Sequence, residues 1–598
     1  MQKLSGIGLF GALLVAWVTA CTAPAATVEE LDCDEVTLEA RDVLDEHCHR
    51  CHGQDGKAYG GLNFILRADK LIAAGLVVAQ DAASSPLLQR IQRGEMPPAV
   101  ATEPISEEDV ASVEAWIECG APALQDPPDR PFVSFDDLVQ ILQADLNTIG
   151  PSQWRFTRYI TLTHLYNSTS VTDDSLQTYR HGLSKLLNSL SWNVDVVAPV
   201  AVDPPWNTIF RIHLADYAWH IVDDSGKDGW DRILDAYPYG FIDTANQELV
   251  ELTIQTKTPL PFVTGDWLVT AASVPPLYHR LLRLPTEAST LESLLFVEVN
   301  ANIDNRLVMR AGFVDSGISQ HNRMFERHDS PFGAYYKSYD FSSSLGSKNI
   351  LVNPLGPLPP FPFTAGAPDL RLFAHDGGEI IFTLPNGLHG YMLIDAAGQR
   401  IDVAPTNIVM DPKQPDGGVR AGRSCSSCHA QGIIVRDDEV RDHLSHLFDT
   451  PVPQNIKIAI EDLYPEAAPF RAVQQRDQQL YLDARQLTGI PANVDGHEAI
   501  PIDSLAQSFL ASLGRDRMAA ELWTTGEALD RAIRNSELLS QNFGVVLAGK
   551  VIKRENFRAL FPQLVCLFRL GSPLVGGAQG DLEPTACPDA LAPKLPPK

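Results

Sequence analysis

Cys48-His49-Arg50-Cys51-His52 sets two thiols three positions apart, with a histidine directly after the second. Each thiol can add across a vinyl group of a haem, and the histidine then lies under the iron as its proximal ligand. The same pattern returns far downstream as Cys425-Ser426-Ser427-Cys428-His429. Composition alone would supply roughly 0.004 such pentapeptides in a chain like this one, so two of them carry information. Cys48, Cys51, Cys425 and Cys428 are therefore the expected points of covalent attachment, and His52 and His429 the expected iron ligands. A zinc half-site would need a second Cys/His pair at partner spacing, which neither motif has. A thioredoxin-like redox pair would need a βαβ context, which is also missing.

The other side of the first iron is addressed by Met96, in the loop Gly94-Glu95-Met96-Pro97-Pro98. A methionine in a Gly/Pro loop has no helix face from which to fill a core, whereas proline stiffening suits a thioether held on a metal. A haem with His and Met ligands has no open position; it passes electrons and does not activate a substrate. The second motif is followed by no such loop, and Met518 falls within a predicted helix. His443 and His446 lie three apart on one helix face after the motif, and His328 is a long-range alternative. The fourth possibility is a vacant position. A histidine there would lower the potential, and a vacancy would make that haem reactive.

The elements that must hold these groups follow from periodicity. Glu35 to His47 reads as a helix running into Cys48, with Val36, Leu38, Val43 and Leu44 as its apolar side. Gly53 to Arg67 is glycine-rich and irregular, as a loop laid around a haem edge would be. Ser85 to Ile91 is a short helix. Ser106 caps the next one, with Asp109 closing a capping-box-like pair and Ile105 stapled to Val110, and Gly120 stops it. This order resembles the start and end of a class I cytochrome c. The attachment site, Ser-x-Leu-Leu-x-Arg-Ile at 85–91, Gly-Glu-Met-Pro-Pro and Trp116-Ile117-Glu118-Cys119-Gly120-Ala121-Pro122 together resemble the planctomycete-type cytochrome c modules. The resemblance implies a complete cytochrome c domain over residues 33–122.

After a Pro-rich linker at 125–131, residues 132–420 read as an α+β middle domain. It holds an amphipathic helix at Asp174 to Leu190, a strand at Ile209 to Leu214 and helices at Trp230 to Ala236 and Leu277 to Leu284. An aromatic strand follows at 334–341, then a hairpin of 379–384 with 391–395 turned through Pro385-Asn386-Gly387. Residues 421–590 read as mostly helical around the second motif. Tyr159 to Asn167, Lys185 to Trp192, 333–341, 377–395 and 424–430 resemble uncharacterised cytochrome-c-domain proteins of planctomycetes and myxobacteria, a resemblance that brings no reaction with it. The expected fold class is thus mixed: an all-α class I cytochrome c domain, an α+β middle, and a mostly helical C-terminal haem c region.

Compartment and partners come from the termini and the charge. Lys3 and the apolar run Ile7 to Val18 read as an export signal over residues 1–20. Val18-Thr19-Ala20-Cys21 resembles a lipoprotein box, which implies a lipid on Cys21 and anchoring without a membrane span. No later segment reaches 18 consecutive apolar residues. A formal charge of −28 repels nucleic acid and suits a basic redox partner protein. Phosphate-loop, zinc-protease and serine-nucleophile motifs are absent from the sequence. The function expected is an exported di-haem c-type cytochrome with two covalent haem c groups that transfers electrons. The alternatives are a haem-dependent oxidase or peroxidase with a reactive second haem, and a surface binding module that merely carries haems. In an oxidising compartment the remaining paired cysteines are expected as disulfides, Cys33 with Cys119 and Cys566 with Cys587.

Overall fold

The computed structural model describes residues 33–52, 62, 64–98, 105–124, 130–314, 319, 321–357, 371–411, 414, 416–446, 454–492, 500–548, 550–576 and 582–588. The export signal, Cys21 and the segment 53–61 after the first motif lie outside them.

In the N-terminal part, the helix Cys33–Leu44 continues through a wider turn at Asp45–His49 into Arg50–His52. It packs on the helix Glu107–Glu118, and the helix Pro86–Gln92 joins the same small core with Leu88 and Ile91. Ser106 starts the 107–118 helix as expected: its Oγ accepts from the Asp109 N–H at 3.1 Å and donates to the Asp109 carboxylate at 2.7 Å. Val113, Trp116 and Ile117 form the buried stripe, and the Trp116 indole N–H donates to the Pro122 carbonyl at 3.0 Å. The Cys33–Cys119 disulfide ties the beginning of one helix to the end of the other.

Six strands downstream, Met309–Phe313, Arg323–Ser330, Gly333–Asp340, Gly377–Thr383, His389–Asp395 and Arg400–Ile401, pair in sequence order as an antiparallel sheet. The 377–383/389–395 hairpin turns at Gly387, whose φ of +86° suits a residue without a Cβ, while the Asn386 side-chain Oδ1 accepts from the Leu388 N–H. Directly opposed residues of antiparallel strands share a face, so the register sorts the side chains. Arg323, Phe325, Tyr336, Glu379, Ile381 and Tyr391 fall on one face; Met324, Glu326, His328, Tyr339, Ile380 and Met392 fall on the other.

The second face is buried against the largest core, which draws on residues from Val133 to Leu574 and includes Tyr335, Ile380, Phe382 and Met392. It also hides charge. Arg310 and Glu326 form an ion pair at 2.8 Å with neither side chain exposed, and the Tyr339 hydroxyl donates to the same carboxylate. Removing one member of such a pair leaves an uncompensated buried charge, at a cost of roughly 3–5 kcal/mol. A separate four-stranded sheet orders Val200–Ala201, Ile209–His213, Thr157–Thr161 and Phe262–Thr264, the last running parallel to Thr157–Thr161.

These elements correct the expected fold class. The chain is mixed α/β with several sheets, and the C-terminal part is not simply helical. Its strand Ser572–Gly576 pairs with Leu582–Pro584 and with Phe241–Ile242 of the middle part, a union that periodicity within either stretch does not show. The described N-terminal residues form helices with a core of their own, but they do not establish an all-α class I cytochrome fold. That fold is defined by how a loop closes around the haem, and residues 53–61 lie outside the description. The other expected helices and strands are present with ends shifted by a few residues, including Asp173–Ser189 and Gly229–Ala236. Both expected disulfides are formed. No described helix is long and apolar enough to cross a membrane.

Candidate functional site

At the first motif the helical turn carries Cys48 into the small core and leaves Cys51 half-buried, with neither thiol in a disulfide. Burial, with Cys51 beside it, pushes the Cys48 thiol up to about 12. The His52 Nδ1 is 3.1 Å from the Leu62 carbonyl oxygen. A carbonyl only accepts, so Nδ1 carries the proton and Nε2 keeps its lone pair, which is the tautomer an iron ligand needs. The Ile65 N–H donates to the His52 carbonyl at 3.0 Å and holds the returning chain beside the ring. Met96 is half-buried just beyond the Pro86–Gln92 helix. The N–H groups of Glu95 and Met96 both donate to the Arg90 carbonyl, at 2.9 and 3.3 Å, so the backbone that carries the thioether is fixed.

The second motif is built from a different scaffold. Gly422, at φ +87°, starts the helix Arg423–Cys428; a Cβ there would stand 2.5 Å from the Ser273 carbonyl and against the Tyr278 ring. Ser424 Oγ donates to Asp411 at 2.7 Å and accepts from the Arg420 N–H, which anchors the turn. Cys425 is buried in the cluster that covers the first sheet face, with Tyr336, Ile381, Tyr391 and Leu393, while Cys428 is exposed. Burial, reinforced by Glu379, pushes the Cys425 thiol far up. His429 Nδ1 donates to the Gly432 carbonyl at 3.2 Å, the same tautomer logic as at His52, while burial favours the neutral ring. Its Nε2 stands 4.0 Å from Glu379 Oε2.

Several groups of that sheet face surround the ring. Tyr391 stacks on His429 with centroids 6.2 Å apart and 30° between planes. Arg323 lies 3.3 Å from Glu379 and is itself bound to Asp340 through Nε at 2.6 Å. Burial opposes ionisation of Glu379, but His429 and Arg323 outweigh it and hold the carboxyl below its usual range. His389 lies against Tyr481 at 4.3 Å, and burial pushes it down to about 3, with His429 adding to the effect. His389 Nδ1 and the hydroxyls of Tyr391 and Tyr481 are buried without hydrogen-bond partners among the described residues. Beside Glu379 lies a small cleft, about 50 Å³, with Leu393, Ile408, Val409 and Val419 as apolar wall and Arg323 at its polar end. Two thiols outside any disulfide and an imidazole fixed through its Nδ1 are the donor set that covalent haem attachment uses.

The remaining expected ligands separate clearly. His328 belongs to the opposite face of the sheet, where its Nε2 is 3.2 Å from Glu326 and its Nδ1 meets Asn302. His443 lies on the helix Val440–His446, which crosses the sheet edge at Gly312 and buries Val440 with Met324 and Tyr339 on that opposite face. The side chain of His446 lies outside the described residues. Glu379, His389 and Tyr391 were missed in the sequence, although an acidic residue inside the apolar strand Gly-Gly-Glu-Ile-Ile-Phe-Thr was a signal that could have been weighed.

Comparison with known proteins bears on the first motif. Residues 48–99, a stretch that spans the motif and Met96, match the family described as planctomycete cytochrome C. No curated protein and no solved structure matches the chain. The chain therefore contains an N-terminal stretch similar to the planctomycete cytochrome C family, a likeness that implies covalently bound haem c.

Proposed function

We propose that the chain is an exported di-haem c-type cytochrome that transfers electrons, with one haem on Cys48, Cys51 and His52 and the other on Cys425, Cys428 and His429. The supporting observation is shared by both motifs: each histidine donates through Nδ1 to a backbone carbonyl and keeps Nε2 free. The haem supplies the one-electron chemistry; the protein's part is to hold, orient and bury it. Leu62 and Gly432 fix the two imidazoles, the thiols fix the ring edges, and Met96 completes the first site with a polarisable ligand. The acidic charge favours a basic redox partner, and such steering weakens as salt shortens the Debye length. Anchoring belongs to Cys21, and Cys21→Ser should move the protein from membrane to soluble fractions.

The test is a haem count per chain by pyridine haemochrome. Two haems are expected in the whole protein and one in each of Cys48→Ala/Cys51→Ala and Cys425→Ala/Cys428→Ala. An unchanged count in the second variant would remove the second haem from this reading. The oxidase or peroxidase alternative is favoured by the buried, unpartnered polar groups beside His429. CO binding to the reduced protein separates the two, because a carrier with filled coordination positions binds none.

A further inference from the structure

We propose that the layer between the strand His389–Asp395 and the helices Asp173–Ser189 and Ala467–Leu487 binds a small carboxylate, held by Lys185, Arg485, Tyr481, Tyr391 and His389. The site goes beyond the electron-transfer reading and does not depend on it.

Lys185 and Arg485 are buried, 4% and 6% exposed, and neither has a carboxylate within ion-pair distance among the described residues. An uncompensated buried cation is costly, so folded chains pair it with an anion. Arg485 donates to the carbonyls of Ala430 and Pro491 at 3.1 and 3.3 Å. Those bonds satisfy donors without cancelling charge, and the Arg485 Nε is left without a partner among the described residues. Lys185 Nζ lies 5.8 Å from the centre of the Tyr481 ring. Glu379 does not answer either cation, because Arg323 and the Cys425 thiol occupy its carboxylate.

Helix packing brings the two cations together. Lys185 meets Tyr481 and the His181 ring lies against Gly489, so the two helices run side by side in opposite directions. Arg485 stands one turn from Tyr481 on the same helix face. The strand closes the third side: the His389 ring lies 4.3 Å from that of Tyr481, and Tyr391, two residues on, shares its face. His389 Nδ1 and the hydroxyls of Tyr391 and Tyr481 add buried, unpartnered groups that can each donate to an anion. Hydrogen bonds to a carboxylate are stronger than those to water. Two oxygens suit donors arriving from three elements, and the aromatic faces of Tyr391 and Tyr481 suit the carbon behind them.

The test uses the full chain as purified, at pH 7 and fixed ionic strength, with sodium acetate as the probe and sodium chloride as the reference. A ligand that binds only the folded state raises the melting temperature with its concentration. Acetate should do so in the wild type where chloride does not, and isothermal calorimetry should give one site per chain. Tyr481→Phe, which keeps the ring and removes one hydroxyl, should weaken acetate binding at least ~fivefold, the worth of one hydrogen bond. Lys185→Met should abolish it, yet melt no lower than the wild type in chloride, since a buried cation without a partner is removed. A lysine with a purely structural role would lower the melting temperature in every buffer. Absence of an acetate-specific shift in the wild type overturns the proposal, as does an equal shift in Lys185→Met. Either result leaves ordered water as the partner of these groups. If Lys185→Met does not fold, Tyr481→Phe decides alone, and wild-type acetate affinity in that variant overturns the proposal.

Discussion

Cys48 to His52 closes a helix within a small helical unit, whereas Cys425 to His429 is laid across a sheet whose strands begin a hundred residues earlier. On the imidazole side the two are nearly the same, because a carbonyl a few residues on, Leu62 or Gly432, orients each ring. On the other side they diverge. The proposed ligand opposite His52, Met96, comes from the same small unit, whereas the surroundings of His429 come from the strands Arg323–Ser330, Gly377–Thr383 and His389–Asp395. The pentapeptide with its next few residues thus sets the proximal half of a site, and long-range pairing sets the distal half.

The sharpest break of that comparison is Met96→Ala. It should abolish the entire near-infrared methionine–iron band of the oxidised protein; survival of half the band would show thioether ligation at both sites and erase the contrast. Next in size is Cys33→Ser/Cys119→Ser. Opening an 86-residue separation costs on the order of 4 kcal/mol in the chain-entropy model. Denaturant titration should show the methionine band lost at lower denaturant, while the second haem's signal keeps its midpoint. A parallel shift of both would mean that the two sites unfold as one.

Acid should discriminate the other way. His279 is buried next to Tyr278, whose hydroxyl accepts from the Tyr391 N–H at 2.9 Å and so braces the second site. Burial, with Arg400 adding to it, holds His279 down at about 4 against an ordinary 6.5. Below pH 6.5 the unfolded chain takes up a proton that the folded ring refuses. Stability that is complete above pH 6.5 is therefore lost as pH falls towards 4, by roughly 3 kcal/mol. Melting curves at pH 8 and pH 5 should differ less in His279→Gln than in the wild type. The smallest effect is expected of Gly432→Ala. At φ +85°, with a Cβ 3.0 Å from the Tyr481 ring, it should cost about 1–2 kcal/mol and perturb only the second haem's spectrum. A change in the first haem's spectrum would count against the independence of the sites.

What was legible follows the same division. The Ser106 cap and the 377–395 hairpin are local signals, the cysteine pairs follow from the helices and the tail they flank, and each has its counterpart in the structure. The strand Arg323–Ser330 was not legible. Arg-Met-Phe-Glu-Arg-His-Asp-Ser reads as a solvated stretch, yet Glu326, Arg327 and His328 are buried because Arg310 and Asp477 meet the first two and Glu326 itself stands beside His328. Charge patterns describe what a side chain carries, not whether a distant partner neutralises it. Glu379 escaped notice for the same reason, and the union of Ser572–Gly576 with Phe241–Ile242 escaped because it spans some 330 residues of chain.

The burial of Cys425 has a consequence for the order of assembly. Its side chain is only 2% exposed, packed under Tyr391 and Ile433, with the Ala467–Leu487 helix placing Tyr481 on Gly432 just beyond. A thioether bond is made at a thiol that the attaching machinery can reach, and in the closed fold this one is out of reach. Loading of the haem proposed for the second motif therefore belongs to a moment before the sheet face is covered. The first motif carries the same requirement in its own small unit, where Cys48 is buried in the core and Cys51 half-exposed, so each motif pairs one thiol that must react before its unit closes with one that stays within reach.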